Sequence, residues 1–505
     1  MSYENMVKWF EEVGSQDTDS VGGKGASLGE MFQQLSPLGV RVPNGFNVTT
    51  SAYEVFINTE VPLSTWENVI EPEGCEDIRS LAIGKESLAE ALEVVLDGID
   101  PTNHLELHGR AALARALVVQ TPVPDSIRSA ISNGYSKLCN EYGQGTDVAV
   151  RSSATTEDSK EASFAGQYES FLNVTGERSV IMHWRKCVAS LFTERAIGYQ
   201  LDRGMQPLES SLSVVVMKMV RSDLAASGVM FNMDPDSGHR GVIHIASSYG
   251  LGELLVQGSV TPDSFTVWKE GVRKGNSAVV HKVLGSKDLR MIYADDGIND
   301  VSTVEVPLDL RRAWSLSDKE CHELAEMALS IEDHYGQPMD IEWAKDGHSG
   351  LMFIVQARPE TVHARSDGAK MLRYLMEPAL TEQLKRTGNV LAIGQAVGKR
   401  IGSGRIRKYR AYEEVLEKKR MIQNRMADGI RLEEIPFEER VFEEGDVLVT
   451  EMTTPDWEPL MKQASLIITR KGGRTSHAAI IAREFGIPAI VGCATAMELE
   501  PLTEV

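Results

Sequence analysis

A histidine that follows a glycine-rich loop near the carboxyl end of the sequence could carry a phosphoryl group. It lies in the segment Gly472–Gly492, whose sequence is G-G-R-T-S-H-A-A-I-I-A-R-E-F-G-I-P-A-I-V-G. The imidazole of His477 is nucleophilic near neutral pH, and a P–N bond is labile enough to pass the group on. Arg474 lies close enough in sequence to add a guanidinium to the phosphate. The residues predict catalytic roles for His477 and Arg474, although a histidine that only caps or packs a helix fits the same spacing.

The elements that must position His477 follow from the same segment. A strand over Leu466–Thr469 ends in the Gly-Gly loop, and Thr475 or Ser476 is suited to cap a helix that runs to Phe485. Gly486 then suits the left-handed position after the helix. His477 is therefore expected in the first helical turn, where free backbone N–H groups and the positive end of the helix dipole favour a bound phosphate.

A predicted hairpin over residues 340–360 brings together groups that suit a metal ion. Asp340 and Glu342 are two apart, as are Gln356 and Arg358, so each pair shares one face of its strand. Two carboxylates and an amide oxygen are hard ligands that suit Mg²⁺ with nucleotide phosphates, and Arg358 could pair with a phosphate. An ordinary half-buried hairpin with a surface ion pair fits the spacing equally well.

Two common phosphate-binding loops are excluded by their spacing. V-G-G-K-G-A-S, residues 21–27, has glycine after its lysine where a Walker A loop needs Ser or Thr, and lacks the upstream glycine spacing. G-L-G-E-L-L, residues 250–255, lacks the third glycine of a dinucleotide fingerprint. Generic motifs alone leave the nucleotide-binding role of this region unassigned.

The histidine segment resembles the phosphohistidine motif of phosphoenolpyruvate synthases and pyruvate phosphate dikinases, members of the PEP-utilising enzyme family, over about twenty contiguous residues. The preceding M-T-T-P-D-W-E-P-L-M-K-Q-A-S, residues 452–465, looks like the synthase branch. The resemblance implies that His477 carries the phosphoryl group and that Thr475 is the site of a regulatory kinase and phosphorylase. Ser476 departs from the cysteine more usual in synthases and matches the serine of dikinases.

The amino-terminal two thirds resemble the ATP-grasp domain of the same family. V-G-G-K-G-A-S-L-G-E-M resembles its first loop, and V-A-V-R-S-S-A-T-T-E-D-S with S-F-A-G-Q resembles its central phosphate loop. The resemblance implies that Lys24 and Arg151 contact nucleotide phosphates. It also implies that Met219 and Val220 supply backbone contacts to adenine, and that Glu253 belongs to a further nucleotide-site loop.

For the predicted hairpin, the resemblance favours the metal site. It implies that Asp340, Glu342 and Gln356 hold Mg²⁺, with Arg358 at the nucleotide. Mg²⁺ is the expected cofactor and ATP the expected substrate.

Composition and charge limit the classes of partner. The chain has 505 residues and a formal charge of 52 − 73 = −21, which argues against nonspecific nucleic-acid binding and against an anionic membrane surface. Five scattered cysteines indicate neither a disulfide framework nor a zinc site. The sequence shows neither a signal peptide nor an apolar run long enough to span a membrane, so we expect a cytoplasmic protein.

The predicted fold class is mixed α/β, with strands and helices that alternate along the chain. We expect an ATP-grasp domain over residues 1–360, a polar linker or hinge over 361–390, and a swivelling phosphohistidine α/β domain over 391–505 that is incomplete at its carboxyl end. The charged stretch over residues 410–444 is expected to be a solvated helix or hairpin.

The resemblance implies a dikinase that converts ATP, pyruvate and water to AMP, phosphoenolpyruvate and phosphate through phosphohistidine. The family's substrate-binding barrel needs roughly 250 further residues, so only the ATP half-reaction is expected in this chain, with a separate barrel as one partner. A pyruvate phosphate dikinase, or a noncatalytic nucleotide-binding fragment, is the alternative. The oligomeric state stays open, a homodimer included.

Overall fold

The computed structural model describes residues 5–505 except 70–71, 73–74, 101–102, 156–157, 160–161, 164–168, 203, 295–300, 361–377, 388–389, 399, 428, 432–433 and 504. The chain divides into two compact units. The first contains residues 1–220, 293–302 and 353–358, and the second contains residues 221–292, 303–352 and 359–505. Residues 221–292 and 303–352 thus group with the carboxyl-terminal segment, and the domain boundaries at residues 360 and 390 stay predictions.

Seven strands and nine α-helices lie in the described part of the first unit up to residue 220. The strands are β1 (Val7–Trp9), β2 (Gly45–Val48), β3 (Val148–Ala154), β4 (Asp158–Ser159), β5 (Ala162–Ser163), β6 (Ser170–Val174) and β7 (Leu212–Lys218). The helices are α1 (Thr18–Glu30), α2 (Thr50–Ile57), α3 (Leu63–Asn68), α4 (Glu76–Ala82), α5 (Leu88–Leu96), α6 (His104–Gln120), α7 (Asp125–Tyr142), α8 (Glu177–Ala189) and α9 (Glu194–Asp202).

An antiparallel sheet with the strand order β1-β2-β7-β3-β6 organises this unit. Alternate residues of its strands, such as Val148 and Val150 on β3 and Val214 and Val216 on β7, are buried in one large apolar core. That spacing is the period of two that a strand imposes on its side chains. The glycine-rich helix α1 packs against β3 and β7 on the opposite face of the sheet.

The chain continues with strands β8 (Ala226–Phe231), β9 (Val242–Tyr249), β10 (Asp263–Trp268), β11 (Val279–Val283), β12 (Leu289–Tyr293), β13 (Val301–Glu305), β14 (Met339–Lys345) and β15 (Met352–Pro359). These strands belong to the second unit except for residues 293, 301–302 and 353–358, which belong to the first. The helices of the second unit here are α10 (Glu253–Val256), α11 (Lys269–Arg273), α12 (Leu308–Arg311) and α13 (Asp318–Tyr335). Strands run in the order β11-β10-β9-β8-β14, each antiparallel to its neighbour.

The carboxyl-terminal part of this unit is a separate α/β layer. It contains β16 (Gln395–Val397), β17 (Ile406–Tyr409), β18 (Val447–Thr450), β19 (Leu466–Thr469) and β20 (Ala489–Val491), with α14 (Pro378–Arg386), α15 (Tyr412–Ala427), α16 (Glu458–Met461) and α17 (His477–Phe485). Strands β17, β18, β19 and β20 are parallel, and β16 pairs antiparallel with β20 at the edge.

Strands β18 and β19 are buried on both faces, as parallel strands in an α/β layer are. Leu448 and Ile467 pack in one apolar cluster, whereas Val447, Val449 and Ile468 pack in another on the opposite side. This two-sided burial holds the carboxyl ends of β18 and β19 side by side, where the loops that follow them meet.

The structure confirms several sequence predictions and leaves others open. The predicted strand over 466–469 and the helix that ends at Phe485 are present, and the charged stretch contains helix α15. Most of the predicted linker, and residues 156–157 and 164–167 of the predicted phosphate loop, lie outside the described residues. All five cysteines are buried. Within the described ranges, no helix has both the length and the apolar character needed to cross a bilayer.

Candidate functional site

His477 is the first residue of α17, at the point where the chain returns from the carboxyl end of β19. Ser476 occupies the N-cap position with extended backbone (ψ 162°), and Gly486 ends the helix in the left-handed conformation (φ 67°). The placement of His477 in the first turn is confirmed. The predicted side-chain cap is wrong, because the Ser476 hydroxyl makes no capping hydrogen bond, and its oxygen is buried without a hydrogen-bond partner among the described residues.

The imidazole of His477 is held by Thr453, a buried residue in the loop that follows β18. Thr453 Oγ1 lies 3.1 Å from His477 Nδ1. If Nδ1 carries the proton, it donates to the hydroxyl oxygen, and the lone pair lies on Nε2, which becomes the nucleophilic atom. The contact therefore provides a means to fix both the ring orientation and the tautomer.

Arg474 is bound by carboxylates rather than lying open beside His477. It donates to Asp234 at 2.8 Å and contacts Asp236 as well. Arg483, in the last turn of α17, also donates to Asp236, at 2.6 and 3.0 Å. Two arginines on either side of His477 in sequence are thus paired with two aspartates of the loop after β8.

The surroundings of these ion pairs control the protonation of two groups. Burial raises the pKa of Asp234, but hydrogen bonds from Ser237 and the charge of Arg474 outweigh it, so the net pKa is lowered. His244 is a buried residue of β9 close to these ion pairs. Its burial, and to a smaller extent the positive charge of Arg474, lower the pKa of His244 to about 4. Asp234 is therefore charged and His244 neutral at neutral pH.

In the first unit, Lys24 lies against the strand that the sequence predicts to bind phosphate. Its Nζ donates to the Ser152 carbonyl at 3.3 Å, and the Gly25 N–H donates to Ser153 Oγ at 3.1 Å. Gly22 has φ 68°, and a Cβ there would lie 2.2 Å from the Ser153 carbonyl oxygen. Only glycine permits this approach. The predicted loop around Lys24 is therefore part of helix α1, which is kinked at Gly22 and packs closely against β3 there.

Arg151 on β3 reaches the segment that carries Gln356. Its guanidinium donates to the Val355 carbonyl at 3.1 Å and to Gln356 Oε1 at 2.7 Å. Gln356 is buried, and the amide oxygen predicted to bind a metal ion accepts a charge-assisted hydrogen bond. The structure thus brings two predicted site residues together, and Lys24 is anchored to Ser152, the residue that follows Arg151.

The predicted adenine-contacting backbone follows β7. The Met219 N–H donates to the Asp147 carbonyl at 3.0 Å, and its carbonyl accepts from Lys218 Nζ at 2.9 Å. Lys218 also forms an ion pair with the Asp147 carboxylate. The Met219 N–H therefore already donates a hydrogen bond within the protein. Of the predicted adenine contacts of Met219, only the second lone pair of its carbonyl oxygen is left to accept from a ligand, next to the backbone of Val220.

The remaining predicted residues lie on three elements. Asp340 and Glu342 lie on one face of β14, both half-buried, with the buried Ile341 between them. Arg358 is half-buried near the end of β15. Glu253 begins α10, accepts a hydrogen bond from Gln257 at 2.9 Å, and has its pKa raised by burial.

The carboxylates on β14 suit a hard cation. The described residues contain no group of three or more His, Cys, Asp or Glu side chains that could hold a metal ion. Asp340 and Glu342 could supply two oxygen donors to Mg²⁺, with oxygens of nucleotide phosphates and water as further ligands. This donor set fits Mg²⁺ better than a softer metal.

Sequence comparisons identify the family. A family model described as "Pyruvate phosphate dikinase, AMP/ATP-binding domain" matches residues 18–378, and another described as "PEP-utilising enzyme, mobile domain" matches residues 442–505. The chain belongs to this family of PEP-utilising enzymes. The predicted fold class, a mixed α/β chain with a nucleotide-binding domain followed by a mobile domain, is thereby confirmed.

Individual PEP-utilising enzymes are similar over almost the whole chain. The phosphoenolpyruvate synthase of Synechocystis sp. is 42% identical over 504 residues, which cover 98% of this chain and 54% of that protein. The phosphoenolpyruvate synthase of Escherichia coli is 43% identical over 495 residues, covering 98% and 55%. The probable phosphoenolpyruvate synthase of Pyrococcus horikoshii is 38% identical over 514 residues, covering 97% and 56%. The chain spans about half the length of these relatives.

Three site residues were not predicted from the sequence. Thr453 belongs to the T-T-P-D-W motif, whose hydroxyls precede a proline that starts a helical turn, but nothing in the motif indicates a contact with a residue 24 positions away. Asp234 and Asp236 form a D-P-D pair two residues apart. The pair signals a turn rich in carboxylates, yet its arginine partners are more than 230 residues away in sequence.

Proposed function

We propose that the protein is a phosphoenolpyruvate synthase-type dikinase in which His477 accepts a phosphoryl group from ATP. The observation that carries the proposal is the contact between Thr453 Oγ1 and His477 Nδ1 at the first turn of α17. When Nδ1 carries the proton and donates to Thr453, the nucleophilic lone pair lies on Nε2. The chain is about 42% identical to a phosphoenolpyruvate synthase. The overall reaction would convert ATP, pyruvate and water to AMP, phosphoenolpyruvate and phosphate.

In the first step, His477 Nε2 attacks the β-phosphorus of ATP. The bond between that phosphorus and the oxygen of the α-phosphate breaks, AMP leaves, and the histidine carries a pyrophosphoryl group. Water then attacks the terminal phosphorus and releases orthophosphate, and the remaining phosphoryl group passes to the enol oxygen of pyruvate. Backbone N–H groups in the first turn of α17 and the helix dipole stabilise the charge on the histidine-bound group.

Residues of the first unit hold the nucleotide in this proposal. Lys24 and Arg151 pair with phosphates, and backbone atoms of Met219 and Val220 contact adenine. Arg358 contacts the phosphates as well. Glu253, a residue of the second unit, is proposed to belong to a further nucleotide-site loop. Electrostatic clamping and in-line positioning account for most of the acceleration of the first step.

Mg²⁺ is the proposed cofactor, held by Asp340 and Glu342 with Gln356 as an additional oxygen ligand. When bound, the ion neutralises charge on the nucleotide phosphates. Since Gln356 Oε1 accepts from Arg151, an amide that also binds metal would use its second lone pair.

The proposal also assigns a regulatory residue, a cellular location and a hinge. Thr475, two residues before His477, is the proposed site of a regulatory kinase and phosphorylase. The reaction takes place in the cytoplasm, and residues 361–390 act as the hinge.

AMP formation from ATP in the absence of pyruvate tests the proposal against a noncatalytic nucleotide-binding fragment. We expect stoichiometric AMP and one orthophosphate per chain with water as the acceptor of the terminal phosphate. A dependence of the pyruvate reaction on added orthophosphate would instead favour a pyruvate phosphate dikinase, and no AMP at all would refute phosphoryl transfer.

A further inference from the structure

The proposed regulatory residue, Thr475, lies between two neighbours that are both held in place by residues 234–262. Thr475 and Ser476 are each only 3% exposed. Arg474 on one side is bound by two aspartates, and Ser476 on the other packs beneath a glycine. The hydroxyl of Thr475 is therefore inaccessible to another protein in this arrangement.

The first set of contacts consists of ion pairs that are largely withdrawn from water. The side chain of Arg483 is 6% exposed and that of Asp236 is 17% exposed. Asp236 accepts from both Arg474 and Arg483, and Asp234 adds a second contact to Arg474. Because these pairs are partly buried and multiply hydrogen-bonded, they hold the segment more firmly than surface ion pairs do.

The second set of contacts comes from the loop over residues 258–262. Gly258 has φ +77°, and a Cβ at this position would lie 2.7 Å from the Cβ of Ser476. Thr261 Oγ1 donates to the Gly472 carbonyl at 3.5 Å, and a Cβ at Gly473 would lie 3.0 Å from Pro262. The loop thus follows the backbone of the histidine segment closely on either side of Thr475.

A buried ion pair supports that loop. Lys287 and Asp263 are both completely buried and paired with each other, and the Lys287 N–H donates to the Thr261 carbonyl at 3.1 Å. Ser315 donates to the other carboxylate oxygen of Asp263 from its backbone and its hydroxyl. The loop is therefore fixed from below rather than free to move aside.

We propose that residues 234–236 and 258–262 form a cover over Thr475. A protein kinase can reach the Thr475 hydroxyl only after the ion pairs between the two aspartates, Asp234 and Asp236, and the two arginines, Arg474 and Arg483, have broken. Such an enzyme must bind several residues on both sides of its target, which here are held in the glycine loop and in the first turn of α17. Modification thus requires local opening of the cover. The physiological meaning rests on the proposed function, since that proposal makes Thr475 the regulated residue.

Thiol alkylation measures access to this position without any kinase. All five native cysteines are buried, so Thr475→Cys introduces the thiol to be followed with N-ethylmaleimide. Thr495→Cys, at an exposed position of the same α/β layer, is the reference. We expect the thiol of Thr475→Cys to react at least about tenfold more slowly than the reference, each rate being normalised to the same variant in unfolding urea.

Opening of the cover is tested in the same assay. Adding Asp236→Asn to Thr475→Cys should accelerate alkylation about tenfold, whereas Asp333→Asn, which removes an exposed ion pair with Arg273, should leave the rate unchanged. Equal rates for Thr475→Cys and Thr495→Cys, or no acceleration by Asp236→Asn, would overturn the proposal. If the double variant does not fold, hydrogen exchange is measured in Asp236→Asn without the cysteine. Faster exchange of residues 470–480 than in the unchanged protein would support the proposal, and unchanged exchange would overturn it.

The assay separates this inference from the proposed function. Histidine labelling from ATP is measured independently on the unmodified chain. If His477 is not labelled but Thr475→Cys reacts slowly, the catalytic proposal is wrong and the cover stands. If His477 is labelled but Thr475→Cys reacts as fast as the reference, the cover is wrong and the catalytic proposal stands.

Discussion

At the scale of single residues, the contact between Thr453 and His477 has the most direct chemical consequence. A hydroxyl 3.1 Å from Nδ1 orients the ring, and with Nδ1 protonated it leaves Nε2 unprotonated. A valine has nearly the same shape and cannot hydrogen-bond. We therefore expect Thr453→Val to slow phosphorylation of His477 by about 10- to 100-fold, less than the loss from a missing general base.

Thr454→Val is the matched control for this prediction. Its hydroxyl contacts Asp456 at 3.4 Å and not the histidine, so it should change the labelling rate little. The tautomer can be measured directly from the ¹⁵N chemical shifts of the His477 imidazole. An unchanged tautomer and an unchanged rate in Thr453→Val would remove the positioning role of Thr453.

His244 gives a second residue-level prediction, on pH dependence. The ordinary pKa of histidine is 6.5, and burial lowers that of His244 to about 4. Between these values the unfolded chain binds a proton that the folded chain does not, so stability falls as the pH falls from 6.5 towards 4. The contribution reaches about 3 kcal/mol at about 1.36 kcal/mol per pH unit.

Urea unfolding at pH 7 and pH 5 checks this prediction. In His244→Leu the loss of stability between the two pH values should be smaller than in the unchanged protein. The control His281→Leu replaces an exposed histidine of the same unit and should keep the full pH dependence. If His244→Leu keeps it too, the buried imidazole is not its cause.

Much of the local site could be predicted from the sequence at the level of elements. Strand β19, the glycine loop, α17 and Gly486 at its end follow from patterns within about twenty residues. The cap by the Ser476 side chain was predicted wrongly, because in the fold this hydroxyl is buried against Gly258 and Gly472 instead of turning to the helix N–H groups. Local propensity identifies the N-cap position but not the direction that packing gives to its side chain.

The close approach of the loop 258–262 to α17 makes a prediction at the same scale. Gly258→Ala must place a Cβ 2.7 Å from that of Ser476 with φ +77°, whereas Gly275→Ala has a similar φ of +68° and open space around it. Both substitutions incur the left-handed penalty of about 1–2 kcal/mol. Gly258→Ala should destabilise the protein by about 1–3 kcal/mol more than Gly275→Ala, which is the usual cost of overpacking.

The difference between the two alanine variants is obtained from their urea unfolding midpoints at equal protein concentration. Equal midpoints would show that the loop moves away at little cost, and that the approach of Gly258 to Ser476 does not contribute to stability. A lower midpoint for Gly258→Ala alone would assign the additional cost to packing.

At the scale of the whole molecule, the sequence predicted the order of the segments better than their grouping. The nucleotide-binding and mobile segments were predicted in the right order and are confirmed by the family models. Grouping of residues 221–292 with the carboxyl-terminal layer was not predicted. It depends on contacts such as Asp236 with Arg483, separated by 247 residues, and no local pattern specifies a pairing over that distance.

The central claim about the molecule is that ATP loads His477. It is tested most directly by incubating the protein with β-³²P-ATP and Mg²⁺ and locating the label. We predict incorporation that is labile in acid and stable in base, as a P–N bond is, and its disappearance in His477→Asn. Persistent labelling of His477→Asn, or label found only on another residue, would contradict the account.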